Sequence, residues 1–190
     1  MIEQVSNYIK SIITVTDEEL AIILSYFKPL KAEKNESLVV QGQMNQRSFF
    51  VGSGCLRIYF ITEDGQEATR YLAFENNFAT ALCSFISNEP SLEFIQALEP
   101  TELLYISGQD FYHLLEIIPA WEKFYRYYLE NAYVTNTNRL MSFLTLDATE
   151  RYKQLMDINP KIIQRLPNRI VATYLNISQE TLSRLKSKRY

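Results

Sequence analysis

Apolar positions along this chain change their period twice. In residues 16–27, TDEELAIILSYF, Leu20, Ile23, Leu24 and Phe27 recur at helical spacing, and Thr16 followed by Glu19 forms a capping-box pattern. These positions predict a short amphipathic helix that stops before Pro29. From Ser37 to about Ser107 the runs alternate or are continuously apolar: SLVVQGQ, RSFFVGSGCLRIYFIT, QEATRYLAF, FATALCSFI and LEFIQALEPTELLYIS. Gly42, Gly52, Gly54, Asn88-Glu89-Pro90 and Glu99-Pro100 interrupt them, and Glu63-Asp64-Gly65 marks a hairpin turn. Short strands at regular spacing, with no helix between them, predict an antiparallel sandwich or roll.

Helical periodicity returns after Gly108. QDFYHLLEII reads as a short helix ending at Pro119, and Pro119 suits the first turn of the next one. No Gly or Pro interrupts the following stretch to about Leu146, roughly 28 residues or about 42 Å of helix. Trp121, Phe124, Tyr125, Tyr128, Leu129 and Ala132 are too bulky a stripe to leave in water, which predicts packing against a second copy of the chain. The competing reading lays this stripe on the chain's own roll. Residues 147–157 predict another helix.

Near the C-terminus, Pro167 opens a helix running through Leu175. Asn176 tolerates a left-handed turn, and Ser178 is placed to cap a second helix from Gln179 onward. Two short helices joined by three or four residues make a helix-turn-helix, with the small Ala172 where the helices cross. Within 178–188, Leu182 and Leu185 share one face. Glu180, Ser183, Arg184 and Ser187 lie opposite, flanked by Gln179, Thr181 and Lys188. A DNA-reading helix needs this division, apolar side down and N-terminal polar side toward the major groove. Gln179, Glu180, Thr181 and Arg184 are therefore candidate base readers, since Gln pairs with adenine, Glu accepts from cytosine and Arg pairs with guanine. Arg169, Ser178, Ser183, Lys186, Lys188 and Arg189 are candidate phosphate contacts. A solvated amphipathic tail helix is the plain alternative.

Charge supports the nucleic-acid reading once it is divided along the chain. The 190 residues carry a net −3, yet residues 147–190 hold nine Lys and Arg against four Asp and Glu, a net +5. That leaves 10 basic and 18 acidic residues, a net −8, in residues 1–146. A basic segment on an acidic body suits a nucleic-acid-binding part joined to something else. Cys55 and Cys83 lack metal-ligand spacing and are expected as reduced core residues of an intracellular protein. The opening MIEQVSNYIKSIITV is interrupted by Glu3, Asn7 and Lys10, and no run of about 18 apolar residues occurs, so a cytoplasmic chain without a membrane partner is expected.

SQETLSRL resembles the recognition helix of the cyclic-AMP receptor/fumarate-nitrate regulator (Crp-Fnr) family, whose pattern reads Ser-Arg-Glu-Thr-x-x-Arg. Ser178, Glu180, Thr181 and Arg184 match it, and Gln179 replaces the first Arg. FFVGSGCLRIYFITEDGQEATRYL is similar to the family's effector-domain strands around a Gly-x-(Leu/Val)-(Arg/Lys) turn. The resemblance implies an α+β fold whose antiparallel β-roll, a cyclic-nucleotide-binding-like jelly roll with flanking helices, occupies residues 1–118. A long dimerisation helix over 119–146 and a helix-turn-helix over 147–190 would follow. It also implies a homodimeric transcription regulator reading pseudo-palindromic double-stranded DNA, with Glu180 and Arg184 as the base-reading pair and RNA polymerase as a further partner. The family adds a β-hairpin wing after the recognition helix, and the sequence stops at Tyr190, so a helix-turn-helix lacking a full wing is expected. A ligand-binding or protein-interaction module with a vestigial DNA-binding tail is the rival reading.

Cyclic-nucleotide members of that family hold the phosphate with a Gly-Glu pair and a later Arg-(Ser/Thr)-Ala. The matching stretches are Phe78-Ala79-Thr80-Ala81-Leu82 and Ser91-Leu92-Glu93, so Phe78, Ala79, Thr80, Leu82, Ser91, Leu92 and Glu93 are the candidate effector-pocket residues. Ser91 stands at the Arg position and Glu93 adds a carboxylate that repels phosphate. An effector other than cyclic AMP is therefore expected, either an apolar or aromatic small molecule or none at all, the pocket being filled by its own side chains. Two cysteines fall short of an iron–sulfur cluster, and His113, the single histidine, cannot build the several-histidine site of a metal-dependent cupin. His113 is expected as a core or surface residue, with no metal, cofactor or catalytic role in view.

Overall fold

The computed structural model describes residues 1–187. They group into two units, Met1–Phe60 with Tyr71–Leu129, and Ile61–Arg70 with the residues from Glu130 onward. One division lies in a β-hairpin and the other partway along the long helix.

The roll is built from α1 (Ile2–Ile12), α2 (Asp17–Ser25), β1 (Lys28–Ala32), β2 (Ser37–Val39), β3 (Arg47–Ser53), β4 (Leu56–Ile61), β5 (Glu67–Ala73), β6 (Phe78–Ala79), α3 (Leu82–Ser87), β7 (Phe94–Ala97), β8 (Thr101–Ser107), α4 (Gly108–Ile117) and the start of α5 (Pro119–Thr145). Its strands form two sheets in the orders β1-β8-β3-β6 and β2-β7-β4-β5. Register decides which side chains meet. Phe50 opposes Leu104, and Val51 opposes Leu103. Because successive strand residues point to opposite faces, Phe50 and Leu104 join Val5, Ile9, Phe111 and Trp121 on the helix side. Phe49, Val51 and Leu103 instead fill the space between the sheets with Leu56, Ile58 and Ile95. A strand covered on both faces reads as an unbroken apolar run, which explains SFFV. Gly54, at φ +99, must be glycine, since a Cβ there would collide with Thr101.

Several elements differ from expectation. Residues 2–12 form α1, with Val5 and Ile9 fully buried. Pro29, expected only to end a helix, lies in the edge strand β1 opposite Leu104, and edge strands are where sheets tolerate proline. Residues 82–87, expected as strand, form α3 and end at Asn88 with a left-handed φ of 54. One face of α3 buries Ser84 and Phe85 and the other leaves Cys83 exposed, so of the two cysteines only Cys55 is a core residue. The capping box of α2 is as expected: the Thr16 hydroxyl accepts from the Glu19 N–H at 3.1 Å, and the Thr16 N–H donates to Glu19 at 2.8 Å.

The long helix forms as expected, and the start of its aromatic stripe lies on the chain's own core, the competing reading given above. Trp121 and Phe124 are buried within the first unit, their rings stacked 4.4 Å apart, and Tyr125 and Tyr128 pack on the same core. Ala132 is half-buried. The early turns of α5 lie against the helix-side core, and that core takes the largest rings first.

In the second unit, the hairpin tip turns at Gly65, φ +77, closed by Thr62 N–H to Gln66 O at 2.9 Å. The rest of α5 leads to α6 (Ala148–Ile158), α7 (Lys161–Arg165), α8 (Asn168–Leu175) and α9 (Gln179–Ser187). Asp147 caps α6 with a second capping box. Ile162, Ile170, Val171, Leu175, Leu182 and Leu185 form its buried interior.

Trp121 has no exposed surface, whereas Tyr133 on the same helix is 72% exposed. Trp121→Ala is expected to cost about 3–5 kcal/mol. Tyr133→Ala should stay within about 0.5 kcal/mol. Urea unfolding of the two variants compares them directly.

Candidate nucleic-acid interface and effector cleft

The C-terminal helices meet through local chemistry that was legible in their sequence. Asn176 takes φ 52 and ψ 54, the left-handed conformation that turns the chain sharply after α8. Ser178 then caps α9, its hydroxyl accepting from the Thr181 N–H at 3.1 Å. Leu182 and Leu185 are buried, and Ala172 is buried on α8. The opposite side of α9 leaves Gln179, Glu180, Ser183, Arg184 and Lys186 exposed, with Thr181 half-buried. The Thr181 hydroxyl oxygen also accepts from Arg184 Nη2 at 3.2 Å and from Ser178 Oγ at 3.0 Å. Arg184 is thus steadied from its own helix while its guanidinium stays in solvent.

Two candidate phosphate contacts are engaged within the unit. Lys186 Nζ donates to Asn168 Oδ1 at 2.8 Å, and Arg169 Nη1 lies 2.8 Å from Glu67 Oε2. Lys188 and Arg189 fall outside the described residues. Two further arginines, which sequence reasoning missed, position α8. Arg139 Nη2 donates to Thr69 O and Tyr174 O, both at 2.6 Å, and its guanidinium lies over the Tyr174 ring at 4.0 Å. Arg151 donates to Leu175 O at 3.2 Å and Leu146 O at 2.6 Å. Carbonyls at the end of a helix lack intrahelical partners, so cations are favourable there. The only hint in the sequence was an arginine in a largely apolar tract, NRLMSFL.

The candidate effector residues separate into two groups. Phe78, Thr80 and Leu82 line a narrow cleft with Ser48, Phe85, Phe111, Phe124, Tyr125 and Tyr128, enclosing about 270 Å³ with its solvent mouth included. Thr80 Oγ1 is 2.7 Å from Ser48 Oγ and accepts from Tyr128 Oη at 3.1 Å. Ala79 points between the sheets. Ser91 is buried in a different role, accepting from the Glu93 N–H at 3.0 Å and donating to Glu93 O at 2.9 Å. Leu92 is 76% exposed. The backbone N–H of Glu93 is therefore already spent on Ser91 and is not offered to a phosphate. His113 lies on the exposed side of α4, 3.4 Å from Glu116.

Comparison with known proteins bears on the whole arrangement. Residues 29–117 match the family model of the cyclic nucleotide-binding domain. Comparison with curated proteins finds no match. Among solved structures the chain is similar to the c-di-GMP responsive global regulator CLP of Xanthomonas campestris, at 16% identity and a TM-score of 0.72, over 90% of this chain and 89% of that one. It is similar to FixK2 from Bradyrhizobium japonicum at 15% identity and 0.73, over 85% and 83%. The catabolite activator protein of Thermus thermophilus gives 22% and 0.58, over 90% and 82%. At these identities the likeness is one of fold: an antiparallel β-roll with flanking helices and C-terminal helices. No helix among the described residues is long and apolar enough to cross a membrane.

Burial raises the phenol of Tyr8 to about 12, and burial with a hydrogen bond that the Tyr125 hydroxyl donates to Tyr112 does the same for Tyr125. An unfolded tyrosine titrates near pH 10, so between about pH 10 and 12 the folded chain keeps protons that the unfolded chain has lost. Stability from these groups is complete below about pH 10 and falls as pH rises through that window. Urea midpoints measured across it should drop, and Tyr8→Phe should flatten the drop.

Proposed function

We propose that this chain is a DNA-binding transcription regulator of the Crp-Fnr type that acts by binding, not catalysis, in the cytoplasm. The observation that carries the reading is α9: a capped helix behind a left-handed turn, with Leu182 and Leu185 buried, Gln179 and Glu180 exposed in its first turn and Arg184 exposed one turn further on. That layout suits a helix entering the major groove end-on. Glu180 and Arg184 are the principal base readers, with Gln179 and Thr181 beside them, and Arg169, Ser178, Ser183 and Lys186 approach phosphates. The fold likeness to CLP and to the catabolite activator protein, both regulators by name, supports it. RNA polymerase would be engaged by the DNA-bound dimer.

A dimer is favoured by what α5 leaves uncovered. Tyr127, Val134 and Met141 recur every seven residues and are 43%, 53% and 50% exposed, with Leu140 and Leu144 beside them. Residues repeating at this interval fall on one side of a helix and make the seam of a two-stranded coiled coil. The partner-facing residues are therefore these, in place of Trp121 and Phe124. Two copies would present their α9 helices to half-sites about one helical turn, roughly 34 Å, apart.

The effector is not cyclic AMP held in the family's manner. Phenylalanine and tyrosine rings crowd the cleft, and Ser91 satisfies the backbone where a phosphate would need donors. A small aromatic molecule that displaces the Tyr125 and Tyr128 rings is the effector class these walls accept, and a roll filled by its own side chains needs none.

Fluorescence anisotropy with duplexes selected from a random pool tests the DNA reading. Affinity should fall with salt at about −0.9 in log–log slope per phosphate neutralised. Arg184→Ala should cost about 1–3 kcal/mol and relax preference at one base pair. Salt-independent binding, or an Arg184→Ala chain that discriminates as before, would defeat the proposal. For the seam, Met141→Glu should turn a dimer into a monomer in sedimentation equilibrium, and a wild-type monomer at micromolar concentration would defeat it.

A further inference from the structure

Glu67 and Arg169 face each other because of a match of periods. Glu67 and Thr69 are two apart on β5 and share a face; Arg169 and Thr173 are four apart on α8 and share a face. Two strand residues advance about 6.6 Å and four helical residues about 6 Å, so two contacts form side by side. Arg169 Nη1 meets Glu67 Oε2 at 2.8 Å, and Thr69 Oγ1 lies 2.7 Å from Thr173 Oγ1. Arg139 fastens the same strand to the same helix by holding Thr69 O and Tyr174 O together. The strand is therefore held against α8, and the Glu67 carboxylate is not a side chain that wandered there.

We propose that Glu67 is an internal competitor for DNA: it occupies the Arg169 guanidinium that would otherwise approach a phosphate, so that the start of β5 restrains binding. The inference rests on the DNA-binding reading above and adds a regulatory contact to it. Its chemistry is an exchange of anions. The Arg169 side chain is 54% exposed and that of Glu67 28%, so the guanidinium can be reached from solvent while it holds the carboxylate. An exposed ion pair of this kind is weak enough for a phosphate to displace. A carboxylate left beside the incoming backbone still opposes the approach, so the restraint has two parts, a contact to break and a like charge to overcome. A shift of β5 away from α8 would remove both at once, which makes the strand a means of grading affinity.

The test is DNA binding by the 190-residue chain at several salt concentrations, using a duplex that the wild type selects from a random pool. Glu67→Gln keeps the shape of the side chain and removes its charge, and it should tighten binding roughly two- to fivefold at physiological salt. In an Arg169→Gln background the same change should give no gain, because the competed group is gone. Glu63→Gln, which neutralises another acid of the hairpin, should give a smaller effect than Glu67→Gln. Thermal unfolding identifies any variant that acts through folding. Equal gains from Glu63→Gln and Glu67→Gln, or a Glu67→Gln gain that persists without Arg169, would reduce the effect to general charge and overturn the competition. Salt-dependent wild-type binding that Glu67→Gln leaves unchanged overturns the competition alone. A wild type that binds no duplex at any salt overturns the DNA reading and the competition together.

Discussion

Phe78 is the side chain around which the first unit is organised. Its ring meets those of Tyr8, Phe27, Phe50, Phe124 and Tyr128, with centroids between 5.2 and 6.3 Å apart and planes tilted or edge-on. Through these contacts a two-residue strand, β6, gathers α1, the turn after α2, strand β3 and the first turns of α5. Tilted and edge-on pairs of this kind contribute about 0.5–1.5 kcal/mol each beyond the area they bury. The consequence for function is direct. Phe78 opens the stretch expected from sequence to line an effector pocket, and its ring is part of the core. Thr80, two residues on, is tied to Ser48 and Tyr128 across the mouth between β6 and α5.

The second unit depends on a different kind of contact. A left-handed residue at Asn176 ends α8 abruptly and leaves its last carbonyls without helical partners. Arg139 and Arg151 supply donors to Tyr174 O and Leu175 O from two other helices. Burial lowers the pKa of Arg139 from its ordinary value, but an arginine remains charged at any working pH. The faces of Phe143 and Tyr174 and two carbonyl dipoles stand in for water around it. The direction in which α9 leaves α8 is thereby set by cations on other elements, and the same arginine that aligns α8 also secures β5 beside it.

Local chemistry was legible at several points where one residue decides a conformation, though the left-handed Asn35 and Asn76 went unread. Thr16 with Glu19, the Gly65 hairpin, Asn176 and Ser178 all do in the structure what their types suggest, because caps and left-handed turns are settled within four residues of chain. Periodicity failed where burial was two-sided or short. Residues 82–87 were apolar enough to read as strand, yet six residues carry too little pattern to separate the two periods. The 2–12 helix did carry a signal that the sequence reading left unused: Ile2, Val5, Ile9 and Ile12 recur three and four residues apart. Residues 61–70, read with the roll strands, group with the C-terminal helices, and no pattern within ten residues could have signalled that.

By itself the sequence determined the capped helix α2, the antiparallel roll, the long helix α5 and the polar face of α9, since these follow from side-chain period and from backbone preferences carried residue by residue. It also determined that the stripe at Trp121 and Phe124 had to be covered. What covers it was decided only in three dimensions, because a helix face is apolar in the same way whether it meets its own sheet or another chain. The pairing of Glu67 with Arg169, 102 residues apart, belongs to the same class. An ion pair leaves no periodic trace in either segment, and only the packing of β5 on α8 brings those two charges within reach.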